Sequence, residues 1–156
     1  MKQICGKALE IAEKLNHKTC VEINDLEIRK IPKKIGIYLW RDKENKVVYV
    51  GIGLGKNGLR QRLVKQHLRS SYTKSVLRIK VANENKFNLR EECVDYIIKC
   101  FRVAYLSWPE EELIKDFKDY MAVKIAEFLL ITEHKPKYNS EYNKFKELLE
   151  VINYDN

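Results

Sequence analysis

The chemistry available to this chain rests on a carboxylate, two tyrosines and two arginines. Glu127 sits in "AVKIAEFLLIT", where nearly every neighbour is apolar. Burying a bare carboxylate is expensive unless it is paired, protonated or bound to a cation. A Lys or Arg from another element would satisfy it. So would a hard divalent cation such as magnesium, with water in the remaining positions. Tyr38 and Tyr49 fall in two short apolar runs, "GIYLW" and "VVYVG", and Arg60 and Arg62 follow in "GLRQR". Together these groups suit phosphodiester hydrolysis. A metal with its carboxylate orients and stabilises charge. An arginine neutralises charge developing on phosphate. A tyrosine hydroxyl passes or positions a proton.

The elements that must position these groups are partly legible. The two apolar runs are rich in β-formers and flank the polar, turn-prone "RDKENK", which predicts a hairpin with a six-residue loop. If Trp40 pairs with Val47, Tyr38 pairs with Tyr49 and both point to one face. Ile37, Leu39, Val48 and Val50 then take the other face. A cross-strand tyrosine pair can also be purely structural. "LRQRLVKQHL" begins a helix with Asn57 near its cap. "TKSVLRIKVANENK" and "NLREECVDYIIKC" read as two more helices, and "FRVAYLSW" as a third strand. Pro109 and the acidic run after it open a helix. "YMAVKIAEFLLITEH" continues or follows it, and Pro136 stops it. Residues 3–16 carry Ile4, Ala8, Ile11, Ala12 and Leu15 at helical spacing. "VEINDLEIRKIP" reads as a connector and "FKELLEVI" as a C-terminal helix.

Four of the six glycines lie between Tyr49 and Arg62, at positions 51, 53, 55 and 58. A glycine run between strand and helix suggests a phosphate cradle. A P-loop would need a Ser or Thr after its Lys, and Lys56 is followed by Asn57. Residues 53–58 spell GxGxxG, but no acid follows at ~20 residues and the preceding strand belongs to a hairpin. The run therefore reads as a flexible, sharply turning link that delivers Arg60 and Arg62.

Composition bounds the rest. At 156 residues and 45% hydrophobic, the chain suits one domain with a normal core. Its net charge of +8 is uneven: residues 35–90 hold thirteen basic side chains against three acidic ones. Such a segment attracts polyanions. No apolar run approaches the ~20 residues that span a bilayer, and the N-terminus does not read as a secretory signal. Cys5, Cys20, Cys93 and Cys100 form no CxxC pair, so buried thiols in a reducing cytoplasm are expected.

These residues resemble the GIY-YIG endonuclease superfamily. Gly36-Ile37-Tyr38 matches the first signature element, and Tyr49-Val50-Gly51 the second, with Val for the usual central Ile. "GLRQRLVKQHL" matches the helix that carries the family's arginine. "EFLLITEHKPKYN" matches the glutamate followed by Pro136 and Asn139. The resemblance implies an α+β fold with a small antiparallel sheet of about three strands flanked by helices. It implies an N-terminal helix and connector over 1–34, the nuclease domain over 35–139, and a C-terminal helix over 140–156 packing on it. It implies a divalent-metal-dependent DNA endonuclease using Mg2+ (or Mn2+), cytoplasmic, with no membrane partner and a possible homodimer. Glu127 would be the metal ligand. Tyr38 and Tyr49 would lie in the active site and Arg62 would contact the scissile phosphate. Gly51, Lys56, Arg60 and Asn139 would support the site or bind DNA. The biological role would be restriction, nicking or repair, with homing disfavoured by the small size.

The chain departs from the pattern in two informative places. Ile52 stands where a polar residue often follows the second motif, and Lys56 from the glycine loop is the substitute. The residue four beyond Arg62 is Gln66, and His67 comes one later. At ~100° per residue, Arg62 and His67 stand ~140° apart on an ideal helix. Either His67 is not catalytic, the helix is distorted, or Arg60 takes part of the role. Two other readings stand beside the enzyme: a non-catalytic nucleic-acid-binding module on the same fold, and a domain whose basic face meets an acidic protein.

Overall fold

The computed structural model describes residues 2–107 and 117–139, the side chains of 117–119 excepted. The helix expected to open at Pro109 and the one expected over 140–156 lie outside the described residues. The elements run α1 (Lys2–Asn16), β1 (Val21–Glu22), α2 (Asp25–Lys30), β2 (Gly36–Arg41), β3 (Val47–Gly53), α3 (Gly58–Arg60) continuing as a π-helix over Gln61–His67, α4 (Val76–Asn85), α5 (Glu91–Cys100), β4 (Arg102–Ser107) and α6 (Phe117–His134).

The sheet is antiparallel throughout, in the order β1-β4-β2-β3. It has four strands where the sequence suggested about three. The extra one, β1, comes from the stretch read as a connector, which also contains α2. Asn24 caps α2 by accepting from the Glu27 N–H at 2.9 Å, acids lie in its first turn and Arg29 and Lys30 in its last. That charge order suits the helix dipole. A two-residue strand carries no periodicity to read.

The sheet is a wall between two apolar layers. On one side Ile37, Leu39, Val50, Ile52 and Ala104 meet Ala8, Ile11 and Leu15 of α1 and Ala122, Ala126 and Leu130 of α6. The predicted stripe of α1 is thus the buried one, and this helix is part of the core. On the other side Tyr38, Trp40, Tyr49 and Val103 meet Leu59 and Leu63 of the α3/π segment, Leu77 and Val81 of α4 and Ile97 of α5. Arg41 joins α1 to the hairpin by donating to the backbone O and Oδ1 of Asn16 (2.9 and 3.1 Å) and to the Asn45 carbonyl at 2.9 Å.

The hairpin register differs from the expected one. Trp40 stands opposite Tyr49, and Tyr38 opposite Gly51. The ladder slips between Trp40 and Arg41, because Val47 rather than Val48 pairs with Arg41. A bulge adds one residue and turns the chain, so Val48 joins the tyrosine face rather than the Leu39 face. The turn is shorter than expected, since Arg41 is still strand. It is closed by the Asp42 side chain accepting from the Lys46 N–H at 2.9 Å, with Asn45 at φ 65°. A shift of two residues preserves the side-chain face, so Tyr38 and Tyr49 still share one.

The outer edge of β3 is covered by the segment after α6. The Tyr138 N–H donates to the Val48 carbonyl at 3.1 Å. The Asn139 side chain accepts from the Val50 N–H and donates to the Val50 carbonyl, both at 2.8 Å. Asn139 thus acts as a short strand would. Asn139→Ala removes both bonds and is expected to cost about 2 kcal/mol, measured as a lower urea midpoint with an unchanged slope.

Candidate active site

The segment after the glycines decides the geometry. From Gln61 to His67 the backbone is a π-helix, whose i→i+5 bonding places residues five apart nearly above one another. Arg62 and His67 therefore share a face, and of the three outcomes left open the helix is distorted. The His67 Nε2 lies 2.6 Å from the Tyr38 hydroxyl. The Arg62 guanidinium donates from Nη1 to Gln66 Oε1 at 2.6 Å, and its charge acts on that hydroxyl. Arg60 turns elsewhere: its Nη1 meets the carbonyls of Ile28, Arg29 and Ile31 at 3.1–3.2 Å, at the C-terminus of α2. There it clamps that helix end.

Tyr38 and Tyr49 stack with ring centroids 6.3 Å apart and planes at 29°. His67 stands edge-on to both, at 5.6 and 5.5 Å. Gly51 makes this cluster possible. A Cβ there would lie 2.4 Å from the Tyr38 hydroxyl oxygen and 3.1 Å from Tyr49 Cε1. The other glycines are not a loose link. A Cβ on Gly58, at φ +32°, would lie 1.8 Å from the Lys34 carbonyl, and one on Gly53 2.5 Å from the Gly58 backbone. The chain crosses itself there at contact distance, fixed by the Leu59 N–H on the Lys34 carbonyl at 2.8 Å. This close crossing replaces the flexible link expected from sequence. Lys56 is exposed at the turn.

A loop connects the π-helix to α4, and a buried arginine shapes it. Arg78 donates to the carbonyls of Arg69 (2.6 Å) and Tyr72 from Nη1, and to those of Ser70 and Arg90 (both 3.3 Å) from Nη2. The loop ends at Ser75, whose Oγ lies 2.7 Å from His67 Nδ1 and accepts from the Arg78 N–H at 3.4 Å as the α4 cap. Sequence reasoning missed Ser75. A serine just before an apolar helical run signals a cap, but nothing local signals the histidine.

Around this cluster opens a cleft of about 160 Å³, lined by Tyr49, Val50, Ile52, Arg62, Val76, Lys124, Glu127, Ile131 and Asn139. Tyr49, Arg62, Glu127 and Asn139 of the sequence candidates line it directly, and Tyr38 and His67 lie behind them. Lys56 and Arg60 do not line it. Ile52 and Val76 give it an apolar side. Glu127 is 20% exposed, with the Lys124 ammonium of its own helix 3.8 Å away. A larger groove of about 360 Å³, between residues 18–21 and β4, gathers none of these groups.

The family model of the GIY-YIG catalytic domain matches residues 34–143. The chain belongs to the GIY-YIG endonuclease superfamily. No curated protein matches it. The GIY-YIG tyrosines Tyr38 and Tyr49 both pack against His67, with Gly51 leaving room for them, and the family identifies the chain as a nuclease, with DNA the substrate that follows. Among the described residues no helix is long and apolar enough to cross a membrane, and the four cysteines are unpaired, with Cys5 exposed rather than buried.

The electrostatics of the GIY-YIG cluster follow from burial. His67 is held neutral: burial pushes its pKa down to about 3, reinforced by Arg62 and Arg78. Burial first, then Tyr49, holds the Tyr38 hydroxyl well above the ordinary tyrosine range, while Arg62 opposes them. Burial works against the Arg62 charge, but Tyr38, Tyr49 and Glu127 outweigh it and raise its pKa. Because the fold favours neutral His67, its contribution to stability is complete above the unfolded pKa of about 6.5. It is lost as pH falls towards about 3. The loss is on the order of 4 kcal/mol. Urea midpoints measured across this window should fall with acid, and His67→Asn should flatten that slope.

Proposed function

We propose that this chain is a divalent-metal-dependent DNA endonuclease that hydrolyses phosphodiester bonds at the Tyr49–Arg62–Glu127 cleft. The observation that carries this is the convergence on one cleft of a half-buried carboxylate, a charged guanidinium and a phenol, with a second phenol behind them. The groups come from four separate elements, so their meeting is a product of the fold.

The cleft fits a hard cation. Among the described residues no three His, Cys, Asp or Glu side chains cluster together, and Mg2+ commonly uses one or two carboxylates with water and substrate phosphate completing its shell. Glu127 would hold Mg2+ (or Mn2+), which would supply charge stabilisation at the phosphate and a more acidic bound water. Arg62, raised in pKa and facing the cleft, would neutralise charge on the scissile phosphate. Tyr49 would position a proton or the attacking water at the cleft surface, and Tyr38 would support it from behind. The basic surplus between residues 35 and 90, with exposed Lys56 in it, would draw the duplex to this face. Asn139 would keep the walls in place. A binding module without cleavage is the second reading, but the cleft retains the whole reactive set.

Purified protein with magnesium is expected to nick or cut supercoiled plasmid. Glu127→Ala should abolish this, and Arg62→Ala should slow it by about 10²-fold or more. Intact plasmid across supercoiled, linear and branched DNA and several metals would remove the enzyme reading. DNA binding that weakens steeply with salt but brings no cleavage would leave the binding module. Undiminished cutting by Glu127→Ala would remove the metal assignment. The ratio of nicked to linear product separates a single-strand nuclease from one that cuts as a pair, and sequenced ends separate restriction from repair.

A further inference from the structure

We infer that the loop between the π-helix and α4 is a seat for the DNA backbone beside the cleft, where Arg69 and Lys74 meet phosphates flanking the one that is cut. The choice of partner rests on the nuclease reading above; the shape of the loop does not.

The loop is closed at its neck and filled from within. His67 Nδ1 and Ser75 Oγ meet at 2.7 Å, which holds its two ends together across eight positions. Inside lies Arg78, 0% exposed. Its Nη1 donates to the Arg69 and Tyr72 carbonyls and its Nη2 to that of Ser70. A further Nη2 contact, on the Arg90 carbonyl, ties the loop to the N-cap of α5. The Tyr72 N–H closes a turn on the Arg69 carbonyl at 3.0 Å. The loop therefore has one shape, set by a fork of donors that only an arginine supplies.

That shape sorts the loop's groups by charge. Backbone carbonyl oxygens would repel a phosphate, and those of Arg69, Ser70 and Tyr72 turn inward onto the buried cation. The side chains left exposed include Arg69, Ser71, Thr73 and Lys74. These are two cations and two hydroxyls, the donor types that hold phosphate oxygens. No Asp or Glu stands between Glu44 and Glu84 in the sequence to offset them. The loop also borders the cleft. Val76, next after the Ser75 neck, lines it together with Arg62, and His67 at the other end stands edge-on to Tyr49. A strand with one phosphate at Arg62 carries more phosphates to either side, and the loop is the basic surface that adjoins that place. A loop that merely joined two helices would need the clamp but not the cations.

The test is fluorescence anisotropy of a labelled DNA duplex, with EDTA in place of metal so that binding is read without cleavage. Arg69→Gln and Lys74→Gln should each weaken binding severalfold at low salt. Each should also lower the slope of log affinity against log salt by about 0.9, one phosphate contact apiece. Both side chains are exposed and the clamp grips backbone carbonyls, so neither change disturbs it. Lys14→Gln removes the same charge from α1, which packs on the opposite face of the sheet, and should leave the slope unchanged. An equal loss from Lys14→Gln overturns the inference, as does an unaltered slope in the two loop variants. Arg78→Lys keeps the charge but not the fork. It should speed amide exchange over residues 69–74 and weaken binding severalfold. Full binding by a folded Arg78→Lys overturns the part given to the clamp, and if that variant does not fold the two exposed positions still decide. Plasmid cutting by the wild type with an unaltered slope in the loop variants removes the seat and spares the nuclease reading. A lowered slope without cutting supports the seat and counts against that reading. A wild type that does not bind the duplex at low salt overturns both.

Discussion

The buried contact between His67 and Tyr38 holds the site to the sheet, and much of the surrounding structure is arranged to permit it. Tyr38 lies in β2, the strand flanked by β3 and β4. Its hydroxyl can reach a helix residue only if the strand opposite leaves room, and Gly51 leaves it. His67 can reach back only if the helix widens by one residue per turn. A protonated imidazole there would face two arginines in a dry interior, so the histidine must remain neutral. Each condition is a constraint on a different element, and the chain meets all of them.

The hairpin and its face were legible because a period of two survives errors of register. Moving the pairing by two residues changed each tyrosine's partner without changing the layer it enters. The bulge was not legible, since Val47 and Val48 are the same residue type and either could have paired with Arg41. β1 was hidden by its length. On an α-helix Arg62 and His67 would stand ~140° apart, which conflicts with a shared site. That conflict was itself the signal of a helix that is not α. Nothing in the spacing distinguished it from the other two outcomes, because the partner that His67 meets, Tyr38, lies 29 positions away in the chain. Asn139 and Ser75 are harder cases. Each acts through bonds whose partners lie 89 and 8 positions away, and sequence patterns describe neighbours.

Charge is distributed on two scales. The excess of lysine and arginine over residues 35–90 is a property of that segment as a whole and was visible in composition. Individual arginines are less uniform than that count implies. Arg60 clamps α2, Arg78 is buried among carbonyls, Arg41 ties the hairpin to α1, and Arg62 faces the cleft. Four residues of one type serve four mechanical or electrostatic ends. Of the four, Arg62 is the one that lines the cleft, while the other three shape the surface around it.

The bond pair between Asn139 and Val50 joins the chain just after α6 to the outer strand of the sheet. Glu127 belongs to α6 and Tyr49 to that strand, so the two walls of the cleft are pinned to each other close to the chemistry. The gap between them is then a set gauge rather than a jaw. Under the proposed function a phosphate would have to arrive at the width the protein already holds, and the work of adjustment would fall on the nucleic acid. Sequences that bend or unstack readily would fit that gauge at lower cost, a preference built without reading a single base.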